Sequence, residues 1–362
     1  MRPSRVEINL KNLEDNIKKA KGKIADKKLL AVVKADAYGH GAVAVSSRAT
    51  AMGVDFLGVG IAEEGIELRN AGIQAQIIIL AQELKERSEE IVLFNLIPTV
   101  CSRDFLESLD REGKRQNKKV PVFLMVDTGM GRYGVSADEF IYFVKLIKNK
   151  DFLELKGVMS HFPVADSDKD FTQEQIKKFN ELLDVSSSMG IDIPIKSMAN
   201  SAGYLLHNNS LFNMVRLGLL LYGISPVENV RPSEYHPVMS VKSKISFIKT
   251  IPPGHSVSYS RTFIAKEPTT IATVPLGYAD GYDRALSNKG WMMVNDKKAP
   301  VIGNVTMDTT MIDISHIPES KIGDEVIVMN TKVTAWEIAK TIGTIPYEVI
   351  SRMGKRLPRL YV

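Results

Sequence analysis

A chain of 362 residues exceeds one ordinary domain, and its 44% apolar, 25% charged make-up is that of a folded protein with a substantial core, which excludes a disordered chain. The 47 basic and 42 acidic residues leave a net charge of +5, but the lysines are scattered over helix-like faces such as 16–28 and 138–150 without interleaved aromatics, so no nucleic-acid partner is expected. A single cysteine, Cys101, excludes an internal disulfide and a thiolate zinc site, and with no apolar run long enough to span a bilayer the expectation is a cytoplasmic enzyme that uses no metal and no membrane.

In chain order, residues 6–10 alternate like a strand and lack the apolar core of a signal peptide; they can pair with either half of the molecule. Eight short apolar runs then follow one another at 29–33, 56–60, 77–80, 96–100, 120–126, 155–160, 195–198 and 214–217. Amphipathic segments such as 62–71, 105–112, 140–148 and 172–189 separate them. Eight strand-helix units in succession predict a (β/α)8 barrel whose chemistry lies on the loops after the strands, although the fourth run is short and holds Pro98. From Pro226 the rhythm changes. Residues 238–250 alternate as one strand, followed by strand-like runs at 271–274, 291–294 and 299–302, the last two around a turn at Asn295-Asp296, and by 326–329. Residues 332–341 are the one clear helix of this part. The expected fold is therefore α/β: a TIM-type barrel over 1–230 and a mainly β domain over 231–362, with residues 1–10 free to join the latter.

The first run ends in Lys34, within Ala-Val-Val-Lys-Ala-Asp-Ala-Tyr-Gly-His-Gly. At the C-terminal end of a barrel strand its amine points at a ligand, and a partly desolvated lysine is a Schiff-base nucleophile for a carbonyl such as the aldehyde of pyridoxal phosphate; the competing reading is a lysine snorkelling from a strand end. After the fifth run comes Asp127-Thr-Gly-Met-Gly-Arg132, with glycines for close backbone approach and an arginine fork suited to a carboxylate. An aspartic protease would need two Asp-Thr-Gly loops in a β fold, and only one is present in an α/β setting. Gly58, Gly60 and Gly65 miss the dinucleotide spacing and read as strand-helix packing. His161 ends the sixth run, where a lone histidine is more often structural than a ligand, and Asn200-Ser201 follows the seventh. After the eighth, Arg216-Leu-Gly218-Leu219 offers an arginine and then backbone N–H groups able to open a short helix, a position phosphates favour. The second part adds tyrosine- and glycine-rich stretches around Tyr259 and Tyr278, then Met307-Asp308 and Pro346-Tyr347; Tyr282 reads as a packing residue.

Together, over essentially the whole length and in order, these motifs resemble the alanine racemase family. The resemblance implies a pyridoxal-phosphate enzyme and a homodimer whose active sites are shared between subunits, making D-alanine for cell-wall peptidoglycan. It makes Lys34 the cofactor-bearing lysine and one of two catalytic bases, and Tyr259, reaching into the partner subunit, the other. Tyr38, Ser201, Gly218, Leu219 and Tyr347 match the cofactor's phosphate side, the glycine and leucine through their amides, and Asn200 matches a cofactor-binding residue. Arg216 matches the group facing the pyridine nitrogen, with His161 as its hydrogen-bond partner. Arg132 and the backbone of Met307 match substrate contacts, and Tyr278 an entryway tyrosine. Two bases flanking the cofactor fit a reaction that removes a Cα proton from one face and returns one to the other.

Two positions depart from the family's pattern. Met125 stands where many members have a carbamylated lysine bracing the arginine, so Arg132 is expected to be held differently, for instance by a bound anion; Ser197 stands where a histidine is common. Both bear on substrate range more than on reaction type. The alternatives are a racemase of other or broader amino acids, such as lysine or serine, and a non-catalytic pyridoxal-phosphate carrier, which the tyrosine motif around Tyr259 argues against.

Overall fold

The computed structural model describes residues 2–230 and 232–362, so Met1 and the expected boundary residue 231 lie outside the described residues. Eight parallel strands, Lys28–Val32, Phe56–Val59, Gln76–Ile79, Ile97–Val100, Val120–Met125, Leu153–Met159, Ile195–Ser197 and Met214–Leu217, lie side by side in chain order, the last returning to pair with the first. The ring is completed between the seventh and eighth strands by two bonds outside any ladder. Arg216 N–H donates to Ala199 O at 3.0 Å and Lys196 N–H to Asn213 Oδ1 at 2.7 Å. Because barrel strands are buried on both faces, they read in the sequence as unbroken apolar runs. One alternate set, including Leu30, Phe56, Ile78, Phe123 and Met159, fills the barrel, while Leu29, Ala31, Leu57 and Val59 pack outward under the helices. Pro98 gives its ladder no N–H, and beside it the Thr99 hydroxyl donates to Ile79 O at 2.6 Å.

The second half is strand-rich. The strand Arg5–Ile8 joins it, antiparallel to Met239–Lys244 and parallel to Arg359–Tyr361, within a six-stranded sheet. The stretch 238–250 is not one strand: Met239–Lys244 belongs to this sheet and Phe247–Ile251 to a separate three-stranded one. Met239–Lys244 buries one face, whereas of Phe247–Ile251 only Ile251 is buried and Phe247 is exposed, so the apolar alternation runs on past the break without marking a continuous buried face. The hairpin of Trp291–Val294 and Lys297–Pro300 turns at Asn295 and Asp296, both at positive φ (49° and 59°) as the tight hairpin turn requires. Besides Ala335–Ile342 there is a second helix, Pro346–Ser351, with proline in its first turn. It brings Tyr347 to the barrel mouth. The buried carboxylate of Asp280 accepts two bonds from Arg2, each 2.6 Å, and so ties the chain's beginning to this half. Among the described residues no helix is long and apolar enough to cross a membrane.

Candidate active site at the barrel mouth

Lys34 follows the first barrel strand and is half-buried. The four residues after it, Ala35 to Tyr38, all adopt left-handed helical angles, with φ between 52° and 54° and ψ between 41° and 52°. None is glycine, and each such L-residue costs roughly 1–2 kcal/mol, so the turn persists only because its surroundings hold it. Ala37 N–H reaches Val33 O at 2.8 Å, Ala42 N–H reaches Asp36 Oδ1 at 2.7 Å, and Ala35 N–H reaches Glu64 Oε1 at 2.6 Å. The glycines that follow serve the C-terminal segment: a Cβ on Gly39 would lie 2.5 Å from Ile350 O, and one on Gly41 2.0 Å from Tyr361 Oη. Tyr222 donates to Val32 O at 2.8 Å and stacks on buried His40 at 4.3 Å, supporting the strand end from beneath.

Burial and the Arg132 guanidinium pull the Lys34 amine below the usual lysine range, while Glu64 acts in the opposite sense. Buried Arg216 is held by four acceptors, none of them charged. One terminal nitrogen donates to Ser197 Oγ at 2.6 Å; the other serves Ser160 O at 2.6 Å, His161 Nδ1 at 3.1 Å and Met198 O at 3.2 Å. Burial and Arg132 bring it down to about 10, so it stays protonated at neutral pH. Burial, then Arg216, Arg132 and Lys34, push His161 down to about 3, so its neutral ring accepts the arginine's proton at Nδ1. Ser197, the departure from the family's histidine, thus supplies the arginine with a neutral acceptor.

Arg132 sits in a loop shaped by Asp127, whose carboxylate accepts from Gly129, Met130 and Gly131 N–H at 2.8 to 3.2 Å. The guanidinium is exposed and lies 5.6 Å from the Tyr133 ring, and among the described residues no carboxylate pairs with it. Met125 points into the barrel beside Met159 and Cys101. Three cations converge on one mouth, a charge pattern suited to a ligand carrying phosphate and carboxylate groups.

Beside Lys34's strand, at the end of the eighth, Gly218 N–H donates to Ser201 Oγ at 3.2 Å, and Leu219 is fully buried next to it. Residues 218–223 form successive i→i+3 turns in place of the short helix expected after the eighth strand. A Cβ on Gly218 would sit 2.8 Å from Tyr38 Oη, so only glycine leaves the backbone amide and the phenol side by side. Tyr38 meets Tyr347 edge to face at 5.9 Å. Burial raises both phenols, Tyr347 to about 12, so both remain protonated donors. The Asn200 side chain accepts from Gly203 N–H at 2.9 Å and caps the helix Ser201–Leu206.

Tyr259, Tyr278 and Met307 lie on the strand-rich half and are exposed, Tyr259 by 74%. Tyr259 is set on a loop with positive φ at Ser258, Ser260 and Arg261, and its carbonyl accepts from Asn304 Nδ2 at 2.9 Å. Met307 O is taken by Ala279 N–H at 3.1 Å, and its own N–H has no partner among the described residues. Within one chain, then, the lysine, arginines, histidine and phosphate-side tyrosines meet at the mouth, while these three face outward. Sequence reading passed over Glu64, Tyr222 and His40. An acidic residue four positions after Gly60, opening the helix behind the second strand, was the available signal for Glu64.

Comparison with known proteins agrees with this arrangement. Residues 8–226 match the alanine racemase N-terminal domain family and residues 238–361 the alanine racemase C-terminal domain family. The alanine racemase of Halothermothrix orenii is 40% identical, covering 99% of this chain and 97% of that one. Among solved structures, the alanine racemase of Clostridium difficile 630 superposes with a TM-score of 0.95 at 35% identity, covering 100% of this chain and 96% of that one. The alanine racemase of Bartonella henselae, solved with covalently bound pyridoxal phosphate, gives 0.92 at 28% identity with all of both chains covered. With both domain families matched in order along its length and relatives alike from end to end, the chain belongs to the alanine racemase family, a family of isomerases.

Proposed function

We propose that this chain interconverts L- and D-alanine on pyridoxal 5′-phosphate, as a cytoplasmic homodimer in which each barrel mouth is completed by the partner subunit's Tyr259. The observation that carries the reading is Lys34, an amine of lowered proton affinity at the end of a buried strand, facing Arg132 and His161. The residues present fit the cofactor. The Gly218 amide with Ser201, Tyr38 and Tyr347 makes a donor-rich cradle that a Cβ would fill, Leu219 adds a second amide, and Asn200 fixes the helix bearing Ser201. Lys34 would hold the aldehyde and Arg216 would face the ring nitrogen.

When bound, the cofactor supplies an electron sink that makes an amino acid's Cα proton acidic enough to leave. Lys34 Nζ takes or returns that proton on one face, and the partner subunit's Tyr259 Oη does so on the other. The exposed, outward-set phenol supports the second role, because the described residues of its own chain leave it largely uncovered. Arg216, locked by its four acceptors and still protonated, is a poor source of a proton for a ring nitrogen; this limits electron withdrawal and favours simple reprotonation over transamination. His161 steers the guanidinium. Arg132 and the Met307 N–H bind the substrate carboxylate, and Tyr278 lines the approach. On this division of labour residues 1–230 carry the barrel, apart from the strand Arg5–Ile8 that joins the other half, 231–362 form the domain that reaches the partner, and the D-alanine made serves cell-wall peptidoglycan.

The test is racemisation of single-enantiomer amino acids by the purified chain with added pyridoxal phosphate. Alanine should turn over fastest; faster turnover of lysine or serine would reassign the substrate, and binding without any turnover would make the protein a carrier. Borohydride reduction should fix the cofactor on the peptide containing Lys34, and label on another lysine would overturn the assignment.

A further inference from the structure

Glu64 lies in the first turn of the helix Ala62–Asn70, which follows the second barrel strand. One carboxylate oxygen, Oε2, accepts from Gly60 N–H at 2.7 Å, close to the bond a glutamate in a helix's first turn makes to its own N-terminus. The other reaches 29 residues back along the chain, where Oε1 accepts from Ala35 N–H at 2.6 Å. Ala35 is the residue after Lys34 and the first of the left-handed turn. A Cβ on Gly60 would lie 3.3 Å from Glu64 Oε2 and 3.5 Å from Lys34 Cβ, so the carboxylate and the lysine stem both flank Gly60.

Resting on the racemase reading above, we infer that Glu64 is a positioning residue for Lys34: it ties the end of the lysine's strand to the next strand, fixes the direction in which the lysine leaves the barrel wall, and sets a negative charge beside the amine. The groups facing Lys34 are Arg132 from the loop after the fifth strand, His161 from the end of the sixth and Glu64 from the helix after the second. Arg216 stands behind His161. Of these Glu64 is the one anion, and it opposes the effect of burial and Arg132 on the amine. A carboxylate there does two separable things. Its reach holds a strained turn, and its charge preserves the amine's affinity for the proton it must carry.

Two substitutions separate them. Glu64→Gln keeps the shape and loses the charge; Glu64→Asp keeps the charge and loses the reach. The first readout is the rate at which the cofactor-free chain captures added pyridoxal phosphate, followed by visible absorption across pH, which reports the neutral fraction of Lys34. The second is kcat and KM for alanine. In Glu64→Gln the pH midpoint of capture should move down, because the charge that stabilised the ammonium is gone, whereas Glu64→Asp should keep the native midpoint. Both should lower kcat by about tenfold or more, with KM within about twofold. A native midpoint in Glu64→Gln, or a native kcat in both variants, overturns the inference. Capture by Lys34→Ala as fast as by the native chain overturns the racemase reading itself, and this inference with it.

Discussion

The left-handed turn after Lys34 makes a signed prediction. Ala35 is exposed, so Ala35→Gly removes no buried surface, and its N–H bond to Glu64 remains available. An L-residue at φ 52° and ψ 52° pays roughly 1–2 kcal/mol that glycine does not. Against this, glycine gives the unfolded chain more freedom, worth about 0.4–1 kcal/mol. The difference is a net gain of about 0.5–1 kcal/mol, which at a slope of about 4 kcal/mol per molar urea for a chain of this size raises the unfolding midpoint by roughly 0.1–0.25 M. The control is Ala44→Gly, in the right-handed helix Ala42–Ala51, where the same substitution should destabilise by about 1 kcal/mol. The assay is urea unfolding of the two variants side by side without cofactor. If Ala35→Gly destabilises as much as Ala44→Gly, the turn is not strained as described and the account of how Lys34 is presented fails.

Gly218→Ala would place a methyl 2.8 Å from Tyr38 Oη and force apart the pair proposed to face the phosphate; cofactor affinity, titrated by absorption, should weaken about tenfold or more, and native affinity would remove the cradle from this position. Burial holds His40 neutral down to about 4 and, with Arg216, His161 down to about 3, against about 6.5 in the unfolded chain, so the unfolded state takes up protons first as pH falls. Stability should therefore be full above about pH 6.5 and decline toward pH 4, His40 alone accounting for about 3 kcal/mol, and His40→Gln should flatten the slope of the urea midpoint against pH. An equal slope in that variant would contradict the burial argument. Tyr259→Phe should suppress solvent hydrogen exchange from one alanine enantiomer far more than from the other; equal loss from both would count against opposed bases.

The barrel was legible because each of its strands is buried on both faces and leaves a short apolar run that helical periodicity interrupts. Lys34, Arg216 and the Asp127 loop stood out as candidates because a charged or glycine-rich motif at the end of such a run is hard to explain by packing alone, and the structure brings them to one barrel mouth. The turn from Ala35 to Tyr38 was not, since three alanine or tyrosine residues and an aspartate carry no local preference for the left-handed region; tertiary contacts from Glu64, Ile350 and Arg359 impose it. The groups that Gly39 and Gly41 accommodate come from the C-terminal segment, far along the chain. Gly65 packs its helix against Leu96, Gly58 lies against Leu30 and Leu80 instead of a helix, and Gly60 lies beside Glu64 and Lys34. The break between Met239–Lys244 and Phe247–Ile251 was hidden because Phe247 continues the alternating row as an apolar residue although it is exposed. The helix Pro346–Ser351 is too short to show a period, although the proline that opens it marks a start.

Mixing two separately inactive proteins, Lys34→Ala and Tyr259→Phe, tests the shared-site account most directly. Random reassociation makes about half the dimers mixed, each with one site holding both native groups, so activity should return to roughly a quarter of the native level. Activity that stays at the level of the unmixed proteins, with subunit exchange verified, would mean that lysine and tyrosine do not meet across two chains.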